Sequence, residues 1–529
     1  MTMIGDGNNV VEILGQLSTT SDHERTKIIE SVRPILGSLE GRAKYKIPIE
    51  NSDLAIVFDC LNASGKDEIL AATELLGQIL SFIDPSLVLN RYIACLNRCL
   101  HHPNAEVKAM VIRFLRRCLE VERCLEEIFK SENILFDVTK LIADDNSTVA
   151  KEVKQFFYEM AMLNGSERVN SMPFVQPILP VLQELLNQEK EVNRLRIEEL
   201  MIMIAKISPE MTERVASAGI IQRLCREVLT DDVLVQLNAI EILSDFAESQ
   251  HGLLYLEKQG ALKDMDSLLC QSSSSPMARF LLPGFIKFFG RVSRNHPENF
   301  AEKYPNFTNT VFSLIKDDSN INEPGLKNLA IATIGHISTN LNGKQKIASI
   351  DGFLNGKENG IIVKTLVNLL RYGTTDDKIV ALNTCRDILS MEGNEPVQIS
   401  SEIGKSFYEG LIQSGMKNPI EYMFQIIKQP FGELAESAYC AMQNIGKSPW
   451  AVHLFVGEPG LLEYILDRDV HMKKEGKEMK YELIRILQLN SVSSDGNVMP
   501  PEMLMRLKKY VKDGPFHVEA ISEVALGEC

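Results

Sequence analysis

Three Gly-Lys pairs are the residues in this chain whose types and spacing come nearest to phosphate chemistry. A phosphate loop needs G-x-x-x-x-G-K-[ST]: backbone N–H groups cradle the phosphate, the lysine reaches its oxygens and the hydroxyl holds magnesium. Gly404-Lys405-Ser406 would need glycine where Ile399 stands, and Gly446-Lys447-Ser448 would need it at Ala441. Gly343-Lys344 is followed by Gln345, which has no hydroxyl. All three read as helix ends, where glycine and lysine both belong. His23-Glu24 has Lys27 at the position where a zinc helix needs its second histidine. His101-His102 precede Pro103 in a turn, without a carboxylate or thiol at a fixed spacing. No G-x-S-x-G elbow or kinase set occurs, and the many carboxylates single out no acid–base pair. The sequence therefore predicts no enzyme, no metal and no cofactor.

The ten cysteines stand singly, with no C-x-x-C pair. Cys95 and Cys99, one turn apart, read as small core hydrophobes, and the usage suits a reducing, intracellular compartment. Net charge is −15, which disfavours wholesale binding to nucleic acid or anionic membrane. Local basic stretches, KYKIP at 44–48 and HMKKEGKEMK at 471–480, read as solvated surface. The start, MTMIGDGNNVVEILGQL, lacks the charge pattern and long apolar run of a secretory signal. The most apolar dozen residues, RFLLPGFIKFFG at 279–290, are bounded by Arg279 and interrupted by Lys287. Their uncharged run falls far short of the ~20 apolar residues of a membrane helix.

That apolar segment has companions, and they supply the elements. VKAMVIRFLRRCLE begins at Val107, VAKEVKQFFYEMAM at Val149, VNRLRIEELMIMIAKIS at Val192, VQLNAIEILSDFAES at Val235 and MARFLLPGFIKFFGRVS at Met277. Each carries apolar residues three and four apart, the mark of a helix burying one broad face. The starts are separated by 42, 43, 43 and 42 residues. Weaker copies start at Leu326, Ile379 and Leu434, with intervals of 49, 53 and 55 that read as loop insertions. Polar turns such as HHPNAE, DDNST and TTDD precede the copies, and another amphipathic helix precedes each turn, opened by Gly219, Gly260 or Gly460 in three cases.

This period matches the ~40–47 residues of HEAT and armadillo units, whose helix pairs hide their apolar faces only by stacking on neighbours. The predicted fold is all-α: a curved HEAT/armadillo-like α-solenoid of about ten repeats over residues 9–513, between a flexible start (1–8) and a tail (514–529). Pro283 is predicted to kink the helix over 277–292, and Gly284 to admit a neighbouring backbone. The β-branched runs at 54–61 and 361–367 fall where the repeat needs a first helix.

Longer motifs carry a resemblance. PGFIKFFG (283–290), ENFAEKYPNF (298–307), SPWAVHLFVGEPGLLEYILDRDV (448–470), KYELIRIL (480–487) and YVKDGPFHV (510–518) resemble the non-ATPase regulatory subunit 5 family of the 26S proteasome. The similarity is clearest from about residue 130 onward. The resemblance implies a chaperone for assembly of the regulatory particle base. Such a protein binds the C-terminal domain of a ring ATPase subunit within a precursor subcomplex and is absent from the mature proteasome. The expectation is a monomer in the cytoplasm, with access to the nucleus, that by its charge and its lack of a long apolar span binds neither nucleic acid nor membrane.

In this repeat class the second helices line the concave face, and the armadillo pattern A-x-x-A-L-x-x-hydrophobic turns two positions four apart toward it. Ala239 to Phe246 fits with Ile242 in place of the second alanine, which points Glu241 and Asp245 outward. Equal offsets give Arg113 and Arg117, Gln155 and Glu159, Lys287, His336 and Asn444 as candidate partner-binding residues. Two other classes share the repeat: a general armadillo-type adaptor gripping an extended peptide, and an enzyme-regulatory scaffold. The adaptor calls for a regular run of groove tryptophans and asparagines, and this chain has one tryptophan, Trp450.

Overall fold

The computed structural model describes residues 10–20, 22–164, 175–187, 190–272, 279–298, 300–316, 324–352, 360–391, 397–430, 432–470, 473–493, 496–497 and 499–517. The start at 1–8 and residues 518–529 of the tail lie outside them. The described chain is helical apart from one short antiparallel ribbon, β1 (Val492–Ser493) with β2 (Gly496–Asn497). It divides into two compact units, residues 1–229 with 249–252, and residues 230–248 with 253–529.

In the first unit a row of second helices packs in chain order: α1 (Asp22–Gly37), α2 (Lys66–Phe82), α3 (Ala105–Cys118), α4 (Ser147–Asn164) and α5 (Glu191–Ala205). In the second unit the row is α6 (Val233–Phe246), α7 (Leu282–Asn295), α8 (Pro324–Ile337), α9 (Thr375–Ile388), α10 (Glu433–Gly446) and α11 (Lys474–Leu489). Helix α12 (Pro501–Asp513) closes on α11. First helices form a parallel layer. In the second unit Ala261–Ser272, Pro305–Lys316 and Ile361–Tyr372 contact one another in turn and back α7, α8 and α9. Each helix hides one stripe against its row and another against its layer, so the core is a seam.

The turns start these helices as their residues suggest. Asn104 caps α3 by accepting from the Glu106 N–H at 2.9 Å, and Asp232 caps α6 from Leu234 at 2.9 Å. Thr374 and Asp377 close a reciprocal capping box on α9. Gly219, Gly260 and Gly460 have φ of 78°, 78° and 77°, a conformation that costs glycine nothing.

Three expectations change. Pro283 falls in the first turn of α7, where its missing N–H would be unpaired anyway, so it starts the helix rather than kinking it. A Cβ on Gly284 would lie 3.3 Å from Leu237 Cδ2, so Gly284 fits α7 against α6 side chains rather than backbone. The third change is to the repeat itself. It holds a further helix between a second helix and the next first helix, as at Pro209–Ser217 and Leu341–Asp351. Part of the longer intervals is helical too, since Val397–Gln413 alone occupies 17 residues. The apolar segment itself is core: Phe285, Ile286, Phe288 and Phe289 are fully buried. Phe289 packs on Tyr304 and Phe307 with ring centroids 5.0 and 5.5 Å away. Each such side chain contributes about 1.5–3 kcal/mol by leaving water.

Candidate partner-binding faces

The outward stripe of α3 carries Glu106, Arg113 and Arg117 one above another, because positions seven and eleven apart return to one helix face. Arg113 is exposed, with Nη2 donating to Glu106 Oε2 at 3.4 Å and Nε 3.8 Å from Glu152. Arg117 Nη1 donates to the Leu80 carbonyl. On α4, Gln155 Nε2 donates to Glu159 Oε1 at 2.8 Å. Glu159 is also gripped by Arg116, whose Nε and Nη2 donate at 2.9 and 2.6 Å while Nη1 reaches Glu152 at 2.7 Å. Arg116 holds the Glu159 carboxyl below its ordinary pKa, so it stays charged. This fork ties α3 to α4, which makes Glu159 a brace as well as a surface charge.

In the second unit α6 and α7 run side by side with partners 46 residues apart: Arg291 Nη1 lies 3.2 Å from Asp245 Oδ1. Glu248 is 3.7 Å from the same nitrogen. The same offset sets Lys287 level with Glu241, and both are exposed. Further along the row Arg294 Nε donates to Thr339 Oγ1 at 3.0 Å. His336 is half-buried, and burial lowers its pKa; Arg294 and Arg291 act in the same sense and Asp387 opposes. His336 is therefore neutral near pH 7.

The structure brings Arg113, Arg117, Gln155 and Glu159 together on the first unit's row, and Glu241, Asp245, Lys287 and His336 on the second's. Asn444 differs. It is only 9% exposed, bonded through Nδ2 to the Cys440 carbonyl and through Oδ1 to Lys447 Nζ, so it offers little to a partner. Sequence reasoning missed Arg291, although it stands four residues after Lys287 as Arg117 stands after Arg113. It also missed Arg116, which sits about 100° around the helix from the outward stripe and gave no signal.

The residues that prompted chemistry are placed as follows. Gly404 lies inside Val397–Gln413, not at a helix end, and Lys405 is exposed on that helix. Lys344 is buried, donating to Ser400 Oγ at 2.9 Å and to the Ser390 carbonyl. Lys447 follows α10 directly. His101 Nε2 lies 3.1 Å from Asp137 Oδ2, a partner the spacing did not reveal. Among the described residues no three His, Cys, Asp or Glu side chains are placed to hold a metal. Trp450 is half-buried, its Nε1 donating to the Ser401 carbonyl at 3.1 Å and its ring on Tyr408. No described helix is long and apolar enough to cross a membrane.

Stacked helix rows of this kind define a HEAT/armadillo-type α-solenoid. Two importin beta structures share the architecture. One, at 12% identity, has a TM-score of 0.60 over 92% of this chain and 57% of its own. The other, at 13% identity, has a TM-score of 0.54 over 90% and 65%. The particular family comes from sequence: residues 23–528 match the model of the proteasome non-ATPase 26S subunit family, and the chain belongs to that family. Relatives include the 26S proteasome non-ATPase regulatory subunit 5 of Homo sapiens and of Bos taurus. Each is 26% identical over 502 residues, covering 94% of this chain and 96% of the relative. The Drosophila melanogaster protein of that name is 24% identical over 485 residues, 89% of this chain and 88% of its own.

Proposed function

We propose that this protein is an assembly chaperone for the base of the 26S proteasome regulatory particle. In this reading it holds the C-terminal domain of one ring ATPase subunit in a precursor subcomplex and is not retained in the finished proteasome. It acts as a monomer in the cytoplasm, with access to the nucleus, as one solenoid over residues 9–513 followed by a tail, and it catalyses nothing itself. The observation that carries the reading is the near full-length match to a proteasome subunit family. The exposed charged rows support it. A solenoid needs no deep pocket to cover a folded partner, and charges spread along a row give specificity and steer association.

The test targets the second unit. Reversing both Glu241→Lys and Asp245→Lys breaks an exposed ion pair with Arg291 and sets lysines beside Arg291 and Lys287, all exposed, so stability should change by no more than about 1 kcal/mol. Capture of purified base-ATPase C-terminal domains should fall about tenfold or more, because like charges face each other across the contact. Lys263→Glu, beside Asp264 on the exposed side of a first helix, is the control and should leave capture unchanged. Undiminished capture by the folded double variant would remove this row from the binding surface.

A further inference from the structure

A groove of about 600 Å³ opens between α1, α2 and α3 of the first unit, within the ~300–1,000 Å³ of ligand sites. Its floor is apolar, made by Leu80, Met110 and Phe114, with Leu70 at the rim 45% exposed. Gly77 keeps the floor open, since a Cβ there would meet only Met110 Cγ, at 3.7 Å. Charge at the groove is unbalanced. Arg33 pairs with Glu74, and Arg113 with Glu106. Arg117 has only the Leu80 carbonyl, with no carboxylate within ion-pair distance among the described residues. Two further groups are unsatisfied: Gln78 Oε1 and Arg33 Nε are buried without a hydrogen-bond partner. One wants an N–H and the other a C=O, the pair of groups that every peptide unit carries.

We propose that this groove binds an extended segment of a partner protein that places an apolar side chain on the Leu80–Met110–Phe114 floor and the carboxylate of an adjacent Asp or Glu on Arg117. The segment's backbone meets Gln78 and Arg33 once their end groups turn into the groove. The apolar floor selects against a purely polar anion, and the Arg117 guanidinium, bonded to a carbonyl but to no carboxylate, selects against a neutral hydrocarbon. Arg113, on the same stripe as Arg117, adds a second positive charge near the carboxylate. The inference deepens the binding-face reading above and rests on it only for the partner's identity. Its probe is a synthetic peptide, so it can fail while ATPase capture succeeds, and the reverse.

The experiment is fluorescence anisotropy on the full chain. The probe is a short labelled peptide with a central Leu-Asp pair, compared with Leu-Lys and Ser-Asp versions. The Leu-Asp peptide should bind saturably and at least about tenfold more tightly than either control, with affinity falling as salt rises. Gly77→Leu fills the floor and should abolish binding. Arg117→Glu should reverse the preference toward the Leu-Lys peptide; if that variant does not fold, Arg117→Gln should remove the preference. No saturable binding, equal affinity for the three peptides, or unchanged affinity in folded Gly77→Leu and Arg117→Gln would overturn the proposal.

Discussion

Glu198 sits on α5 with no solvent exposure and with neither carboxylate oxygen in a hydrogen bond. Its Oε1 is 3.5 Å from Arg223 Nε. Burial pushes its pKa from 4.5 to about 7, with the Glu227 charge acting the same way and Arg223 and Arg194 opposing. The unfolded chain releases this proton near 4.5. The folded chain binds it more tightly, so the advantage is complete below that pH and is lost as pH rises through about 7. The first unit should therefore melt lower at pH 8 than at pH 6 on account of this group. Glu198→Gln should raise the melting temperature at pH 8 and flatten that difference; an unchanged pH profile would show that Arg223 and Arg194 already neutralise the site.

At the scale of elements, two glycines inside helices make opposite demands. A Cβ on Gly335 of α8 would lie 3.1 Å from the Thr384 Cα of α9, so backbone would have to move. A Cβ on Gly404 would meet only Leu389 Cδ2, at 3.5 Å. Gly404→Ala should stabilise by roughly 0.5–1 kcal/mol through helix propensity alone. Gly335→Ala should destabilise by about 1–2 kcal/mol, overpacking outweighing the same gain. Urea unfolding of both variants checks the pair, and equal effects would contradict the close α8–α9 approach. Much of this architecture was legible, because apolar residues three and four apart mark helices and their return every 42 or 43 residues fits stacked helical repeats. What escaped was set by packing or by short range. A nine-residue helix such as Pro209–Ser217 carries too few apolar positions to register as a repeating element. Pro283 has apolar residues on both sides, so its sequence context could not distinguish a first turn from a helix interior. The outward stripe of α3 was readable from Arg113 and Arg117, but the Asp245–Arg291 contact depends on a helix-to-helix offset that no single helix encodes.

Across the whole chain, a net charge of −15 sits beside local rows in which both signs alternate, Asp245 with Arg291 and Arg116 with Glu152 and Glu159. A net charge of that sign disfavours polyanions at long range; under the proposed function, in which partners meet these rows, association should slow as ionic strength rises. The reading as a base-assembly chaperone makes a demand that a retained proteasome subunit does not: it meets ATPase subunits before the core particle joins them. The most direct measurement is purification of the tagged protein from its own cells at low salt, with quantitative identification of everything it carries. Ring ATPase subunits of the base should be recovered in near-equal amounts with the tagged protein, without core-particle subunits. Core-particle subunits at matching stoichiometry, or no ATPase at all, would contradict it.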